Sequence, residues 1–323
     1  MSAMQKTFLA RLTILLFLLT VALVWAIRPG SAQVASAYHP GFGNAYFFGD
    51  SLTDCCWTQR YTNSMAPNWA DLLPPLIGAS YTASKQTDLA VAGAAVATSG
   101  GNPTLAAELG IQTSFLAQVG RLGNEGVKIR PDDIAGIWIG TNDIWPSSYS
   151  ATDQAPPIVG AFDKPLGPQP SVAALTSYVI SNLRTGIDQL KADGFHNIVL
   201  LSPYDIGQSA IEPNAAAAAL ATQYSISIRN AESHLYTPGV NTYFVDVLSL
   251  LQQVQANPAI YGFLHTTAVD NCQANNCDSL PLAQQNTYIF NDILHLTSGF
   301  DQVLANDAAR IINAGITVPP CGD

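Results

Sequence analysis

The chain reads as an α/β protein, a three-layer α/β/α sandwich around a five-stranded parallel sheet. Two observations carry that reading. Five short apolar segments, 44–49, 88–92, 134–140, 197–202 and 242–247, have the length and character of buried strands. Helical stretches separate them, and strands alternating with helices imply parallel pairing through right-handed crossovers. The chain is also long enough to bury one large core, and it shows no internal repeat.

The elements follow in order. Lys6 and Arg11 precede or open an apolar run, Leu12 to Ile27, which is followed by the small residues Gly30-Ser-Ala32 and Ala35-Ser-Ala37. That is the pattern of a secretory leader, with cleavage expected after Ala32 or Ala37. The run falls short of the ~20 residues of a membrane span, so residues 1–37 are expected to be removed and 38–323 to form one domain without a stable span. Asn44-Ala-Tyr-Phe-Phe-Gly49 is the first strand, apolar and aromatic at its centre. Val172–Ala192 places apolar residues at helical spacing, and Ala215–Leu235, with its alanine run 215–219, is a second helix. Segments 145–170 and 257–290 are rich in Pro, Asn, Gln and Ser and are expected to be long loops over the active-site end.

Ser51 follows the first strand at once, and a residue just past the carboxyl end of a parallel strand sits at the mouth of the ligand crevice. Far along the chain stands Asp292-Ile-Leu-His295. A serine hydroxyl needs a base in reach, histidine can take and return the proton, and a carboxylate on its other nitrogen fixes the tautomer. These residue types point to covalent acyl transfer. Three donors suit an oxyanion: the Ser51 N–H, the Gly93 N–H, unobstructed by a side chain, and the Asn142 amide just after strand 134–140. Asp50, Asp54 and Asp143 read as loop or helix-end ligands. His265 and Asp270 form a rival His/carboxylate pair, but their order along the chain and the surrounding loop from Pro258 to Cys277 make them a poor triad.

Four blocks carry a family resemblance: Phe48-Gly-Asp-Ser-Leu-Thr-Asp54, Ala90-Val-Ala-Gly-Ala-Ala95, Gly140-Thr-Asn-Asp143 and Asp292-Ile-Leu-His295. In this order and spacing the chain resembles the GDSL esterases and lipases, the SGNH hydrolases. The resemblance implies a flavodoxin-like fold, carboxylic-ester hydrolysis, and Ser51, Gly93, Asn142 and His295 as signature residues, with Asp292 completing the triad. It also leaves open a phospholipase or lipid acyltransferase, and an inactive carbohydrate-binding surface protein of the same fold. Leu296 stands where the family commonly has proline, and Cys55-Cys56-Trp57 where small or polar residues are usual.

Other classes fit badly. There is no Gly-x-Ser-x-Gly elbow, no His-Glu-x-x-His, no cysteine–histidine zinc spacing, no phosphate loop and no dinucleotide fingerprint, so neither metal nor cofactor is expected. Loss of residues 1–37 would remove Lys6, Arg11 and Arg28 and no acid, leaving 10 basic residues against 23 acidic ones. Such a surface argues against nucleic acid and against adsorption to anionic lipid, leaving a small-molecule or lipid ester as the partner. Cys272 and Cys277 flank Gln-Ala-Asn-Asn, a spacing that in an oxidising compartment predicts a small disulfide. Adjacent Cys55 and Cys56 are not expected to join each other, because that ring is strained. A link from one of them to Cys321, at the limit of the chain's reach, is the alternative, and it leaves an odd cysteine free.

Overall fold

The structure is a computed structural model that describes residues 41–97, 103–124, 126–144, 171–209 and 215–320. The leader at 1–37, the loop 145–170, and Cys321 lie outside these residues. Strands are β1 (Ala45–Gly49), β2 (Ile134–Trp138), β3 (Asn197–Leu201) and β4 (Asn241–Val245). The main helices are α1 (Trp69–Ile77), α2 (Pro103–Leu109), α3 (Phe115–Asn124), α4 (Val172–Asp193), α5 (Ala215–Glu232), α6 (Val247–Ala256) and α7 (Ser298–Asn313).

All strand pairs are parallel, in the order β1-β2-β3-β4, with Gly49 opposite Trp138 and Trp138 opposite Leu201. The first three strands are wholly buried, which is why they read as continuous apolar runs; β4 is the edge and begins with exposed Asn241. Phe47 and Phe48 show the layering. Neighbours in a strand point to opposite faces. Phe47 packs edge-on against Trp69 of α1, and Phe48 against Phe115 of α3. So α1, with its partner α7, covers one face, and α3, packed on α4 and through it α5, covers the other. These rings are essentially fully buried, and each contributes roughly 2–3 kcal/mol by leaving water.

The expected fifth strand is a correction. Among the described residues the sheet has four strands, and 88–92 runs beside β1 without becoming one. Phe47 N–H donates to the Thr87 carbonyl, and Leu89 and Val91 N–H donate to the Phe47 and Gly49 carbonyls at 2.8 and 3.1 Å. The ladder is broken where Gly49 N–H turns to Gln118 Oε1 instead of the Leu89 carbonyl, and on the side away from β1 Ala90 N–H goes to Asp88 and Ala92 N–H to Asp54. The segment still occupies the outer edge of β1. The chain therefore steps from β1 to one side and to β2 on the other, and the crevice of such a sheet opens at that reversal.

Sequence-predicted helices hold with small shifts at their ends. Ser171 Oγ accepts from Ala174 N–H to start α4, and Gly194, at φ 114°, ends it. The 257–290 segment is irregular apart from single helical turns at Pro258–Tyr261, Cys277–Ser279 and Leu282–Gln285. Among the described residues no helix is long and apolar enough to cross a membrane.

Candidate active site

Gly49 ends β1 and launches the serine loop. A Cβ there would lie 2.3 Å from the Trp138 carbonyl oxygen, so only glycine fits beside β2. Fully buried Gln118 clamps the same residue from α3. Its Oε1 accepts from Gly49 N–H at 2.9 Å, and its Nε2 donates to the Gly49 carbonyl at 2.8 Å. From α1, Trp69 Nε1–H donates to Thr53 Oγ1 and Asn68 Nδ2–H to the Thr53 carbonyl. Asp50 accepts from Leu52 N–H, and Thr53 and Asp54 N–H close a turn on the Asp50 carbonyl. Ser51 is thereby held at the carboxyl end of β1, half-buried.

His295 arrives on a different kind of support. Residues 291–295 form a tight turn closed by Asn291 N–H on the His295 carbonyl at 2.8 Å. Asp292 Oδ1 accepts from Leu294 and His295 N–H at 2.8 and 2.6 Å, so the carboxylate organises its own turn. Tyr204, fully buried, donates its hydroxyl to the Leu294 carbonyl at 2.6 Å. Asn291 Nδ2–H reaches the Tyr61 carbonyl. Across this turn His295 Nδ1 lies 2.7 Å from Asp292 Oδ2, and Nε2 lies 2.9 Å from Ser51 Oγ. Burial pushes the Asp292 carboxyl up, but the hydrogen bond and charge of His295 and the two amides outweigh it and hold the group below its ordinary value.

A cleft of about 420 Å³ opens over this chain of contacts, lined among others by Ser51, Gly93, Asn142 and His295. The Ser51 and Gly93 amides have no hydrogen-bond acceptor among the described residues. Gly93 needs its left-handed backbone, φ 72°, to turn that amide. Asn142 donates one Nδ2 hydrogen to the Ala94 carbonyl at 3.0 Å, which fixes the amide and leaves its second hydrogen uncommitted. The structure thus brings together every residue singled out for the site.

The neighbouring acids have other contacts. Burial raises Asp50 to about 7 and Asp143 to about 8, and Asp143 accepts from Val96 N–H behind the Gly93 turn. Asp54 ties the loop past the serine to Ala92 N–H. The rival His265 is hydrogen-bonded to Asp270 at 2.8 Å and stacked on Tyr288, yet no hydroxyl or thiol bonds its other nitrogen among the described residues. One site residue has no sequence signal. Tyr61 stacks on the His295 ring at 4.7 Å and 25°, and a lone tyrosine in a loop belongs to no motif.

The cysteines bring a second correction. Cys55 and Cys56 are joined to each other, their Cα atoms 3.7 Å apart. The turn explains it: Asp54 Oδ1 accepts from Cys56 and Trp57 N–H while Asp88 accepts from Cys55 N–H, bringing the two side chains to one side. Cys272 and Cys277 are also joined, Cα atoms 5.0 Å apart. Both pairs lie near a carboxylate, Asp88 or Asp278, but a disulfide offers no thiolate to a metal.

Among solved structures, the chain is similar to Axe2, an acetylxylan esterase from Geobacillus stearothermophilus. Identity is 16%, covering 87% of this chain and 98% of that one, with a TM-score of 0.42. A member of the lipolytic protein G-D-S-L family from Veillonella parvula is similar at 12% identity, covering 83% and 97%, with a TM-score of 0.43. Comparison with curated proteins found no match. The model of the GDSL-like Lipase/Acylhydrolase family matches residues 47–269, more than half of the chain, and the chain therefore belongs to this family of ester-bond hydrolases.

Proposed function

We propose that the chain is an exported carboxylic-ester hydrolase in which Ser51 is the nucleophile, His295 the base and then the acid, and Asp292 the residue that orients it. The observation that supports this most is the unbroken contact chain Ser51 Oγ–His295 Nε2 and His295 Nδ1–Asp292 Oδ2, at 2.9 and 2.7 Å, at the floor of an open cleft. Ser51 Oγ attacks the ester carbonyl while His295 Nε2 takes its proton. The carbonyl oxygen becomes an oxyanion held by the Ser51 and Gly93 amides and by Asn142 Nδ2–H. Collapse breaks the bond to the alcohol oxygen, which leaves with the proton from His295. A water molecule, deprotonated by the same nitrogen, then releases the acid and restores Ser51.

Residues 1–37 act in this reading as a leader, and 38–323 as the mature hydrolase. The basic start, the apolar run and the small-residue sites support export, and the two disulfides suit an oxidising compartment. N-terminal sequencing of exported protein should begin near Gln33 or Tyr38.

A fluorophosphonate probe tests the chemistry directly. It should label the protein at Ser51 and fail on Ser51→Ala, which should keep the fold and lose ester hydrolysis. A Ser51→Ala variant with unchanged kcat would remove the assignment.

A further inference from the structure

Past Tyr61 the catalytic cleft continues into a second cleft of about 440 Å³, which shares Gln59, Tyr61 and His295 with the first. Its walls are constructed with strained backbone. Ser64 and Met65, at φ 50° and 53°, line one side, and they are two of the three non-glycine residues with left-handed backbone among the described residues. The third, Asn276 at φ 52°, lies in the loop closed by Cys272 and Cys277. Gln273 and Asp278, in and beside that loop, also line the cleft. The loop is bonded to the histidine turn: Cys272 and Gln273 N–H donate to the Phe290 and Asn291 carbonyls at 3.0 and 2.9 Å. Left-handed backbone at such residues costs on the order of 1 kcal/mol each and persists where the surroundings enforce it.

Three polar side chains on this cleft are uncommitted. Gln59, Gln273 and Asp278 are exposed, and their side chains make no hydrogen bond among the described residues. Buried Asn291 donates through Nδ2, but its Oδ1 has no partner. The cation on this cleft, Arg60, is held by Asp71 through contacts of 2.7 and 2.9 Å. An anionic alcohol would therefore meet Asp278 and Asp292 with no free lysine or arginine among the described lining residues to offset them. A plain alkyl alcohol would cover two amides and a carboxylate without satisfying them. An alcohol with several hydroxyls donates to Asp278 and both donates to and accepts from the glutamines.

The chemistry says which half of the ester lies here. Gly93 and Asn142, which face the carbonyl oxygen, line the first cleft and not the second. The leaving oxygen takes its proton from His295, so the alcohol departs across the imidazole, where the second cleft opens. We propose that this cleft is the alcohol subsite and takes a polyhydroxylated alcohol such as a sugar ring, with Gln59, Gln273 and Asp278 setting that preference. The proposal rests on the roles given above to Ser51 and His295. Its products are the carboxylic acid and the free polyol, with water as the second substrate.

Three acetates that differ only in the alcohol test it: a monoacetylated methyl glucoside, ethyl acetate and the acetate of choline. Wild type should favour the glucoside in kcat/KM by tenfold or more. Gln273→Ala and Asp278→Asn, both at exposed positions, should each lower the glucoside-to-ethyl ratio about tenfold, mainly through KM. A structural defect would lower both esters together and leave the ratio alone. Ser51-dependent hydrolysis with an unchanged ratio in both variants, or a preference for ethyl or choline acetate, would overturn the subsite alone. Hydrolysis that survives Ser51→Ala would overturn the catalytic reading, and the subsite with it.

Discussion

The two halves of the proposed catalytic apparatus are supported in opposite ways. Ser51, Gly93 and Asn142 stand at the carboxyl end of the sheet, where β1, β2 and the segment beside β1 fix them through buried aromatic packing and the Gln118 clamp. Asp292 and His295 stand on an irregular turn that is organised by the Asp292 carboxylate itself, the Tyr204 hydroxyl and Asn291. On the sheet side, position is inherited from the core. On the turn side, one residue both holds the loop and, in the proposed mechanism, orients the base. Changes on the two sides should therefore differ in what they cost, in stability or in turnover.

The largest effect belongs to the turn side. His295→Ala removes the one side chain hydrogen-bonded to Ser51 Oγ among the described residues, the proposed base, and kcat should drop by roughly 10⁵–10⁶. Asp292→Ala should cost less, roughly 10³–10⁴, because the imidazole keeps its basic nitrogen. Asp292→Asn separates the two duties, since its Oδ1 still accepts from Leu294 and His295 N–H while its charge is gone. Pre-steady-state kinetics on a p-nitrophenyl ester would read all three, and the double variant should be no worse than His295→Ala. Equal losses for Asp292→Ala and Asp292→Asn would mean that charge matters and turn support does not.

Asn142→Ala comes next, on the sheet side. It deletes one proposed oxyanion donor and should lower kcat roughly 100-fold to 1000-fold with little change in KM. Its other bond, to the Ala94 carbonyl, braces the Gly93 turn, so a modest loss of stability should accompany it. Chemical denaturation alongside kinetics would show both. A loss in KM alone would place Asn142 outside the transition-state contacts.

The same contrast governs what the sequence discloses. The sheet side is legible because parallel strands buried on both faces leave apolar runs, and the residue after such a run is placed by topology. The Asp-x-x-His spacing is legible too, because three residues is the reach of one carboxylate around one turn. Tyr61, Tyr204 and Gln118 are not, since each acts across a long stretch of sequence with no local pattern. Helix α1 is hidden for another reason: Pro74 and Pro75 lie inside it, and the Asn68/Asp71 capping box compensates locally. The 88–92 segment reads as a strand by composition, yet Gln118 takes the Gly49 N–H that would pair with it, which no hydropathy pattern reports. The 55–56 disulfide is likewise set by a turn whose acceptors are two aspartates.

Gly49→Ala probes how far the sheet side depends on the core. The added methyl meets the Trp138 carbonyl at 2.3 Å, so β1 and β2 must separate or the Gln118 clamp must open. The cost should be roughly 2–4 kcal/mol. A matched change on the turn side, Asn291→Ala, should cost less stability and shift kcat through Tyr61 and His295 instead. Thermal unfolding of both variants, with kcat measured well below each midpoint, makes the comparison. If Asn291→Ala proved the more destabilising, the turn would be part of the core and the contrast would fail.

The smallest expected effect is a dependence of stability on pH, and it too divides the halves. Burial holds Asp50 near 7 and Asp143 near 8, and it raises Asp88, Glu232 and Asp301 well above the ordinary carboxylate range. Between about pH 4 and 8 the folded protein keeps protons on these groups that the unfolded chain has released. Their contribution is complete below the unfolded values and is lost as pH rises through the folded ones, so stability falls in that direction. Asp292, held below its ordinary value, works the other way: its contribution is present above about pH 4 and is lost as pH falls further. Tm should therefore drop by a few degrees from pH 5 to 8. Asp50→Asn should flatten the slope. Its oxygen can still accept from Leu52 N–H, and the partnerless amide it leaves costs the same at every pH, so the slope and not the midpoint is the test. A Tm that rose steadily from pH 5 to 8 would show that these carboxyls are ionised in the folded state, and that the floor of the sheet side carries charge.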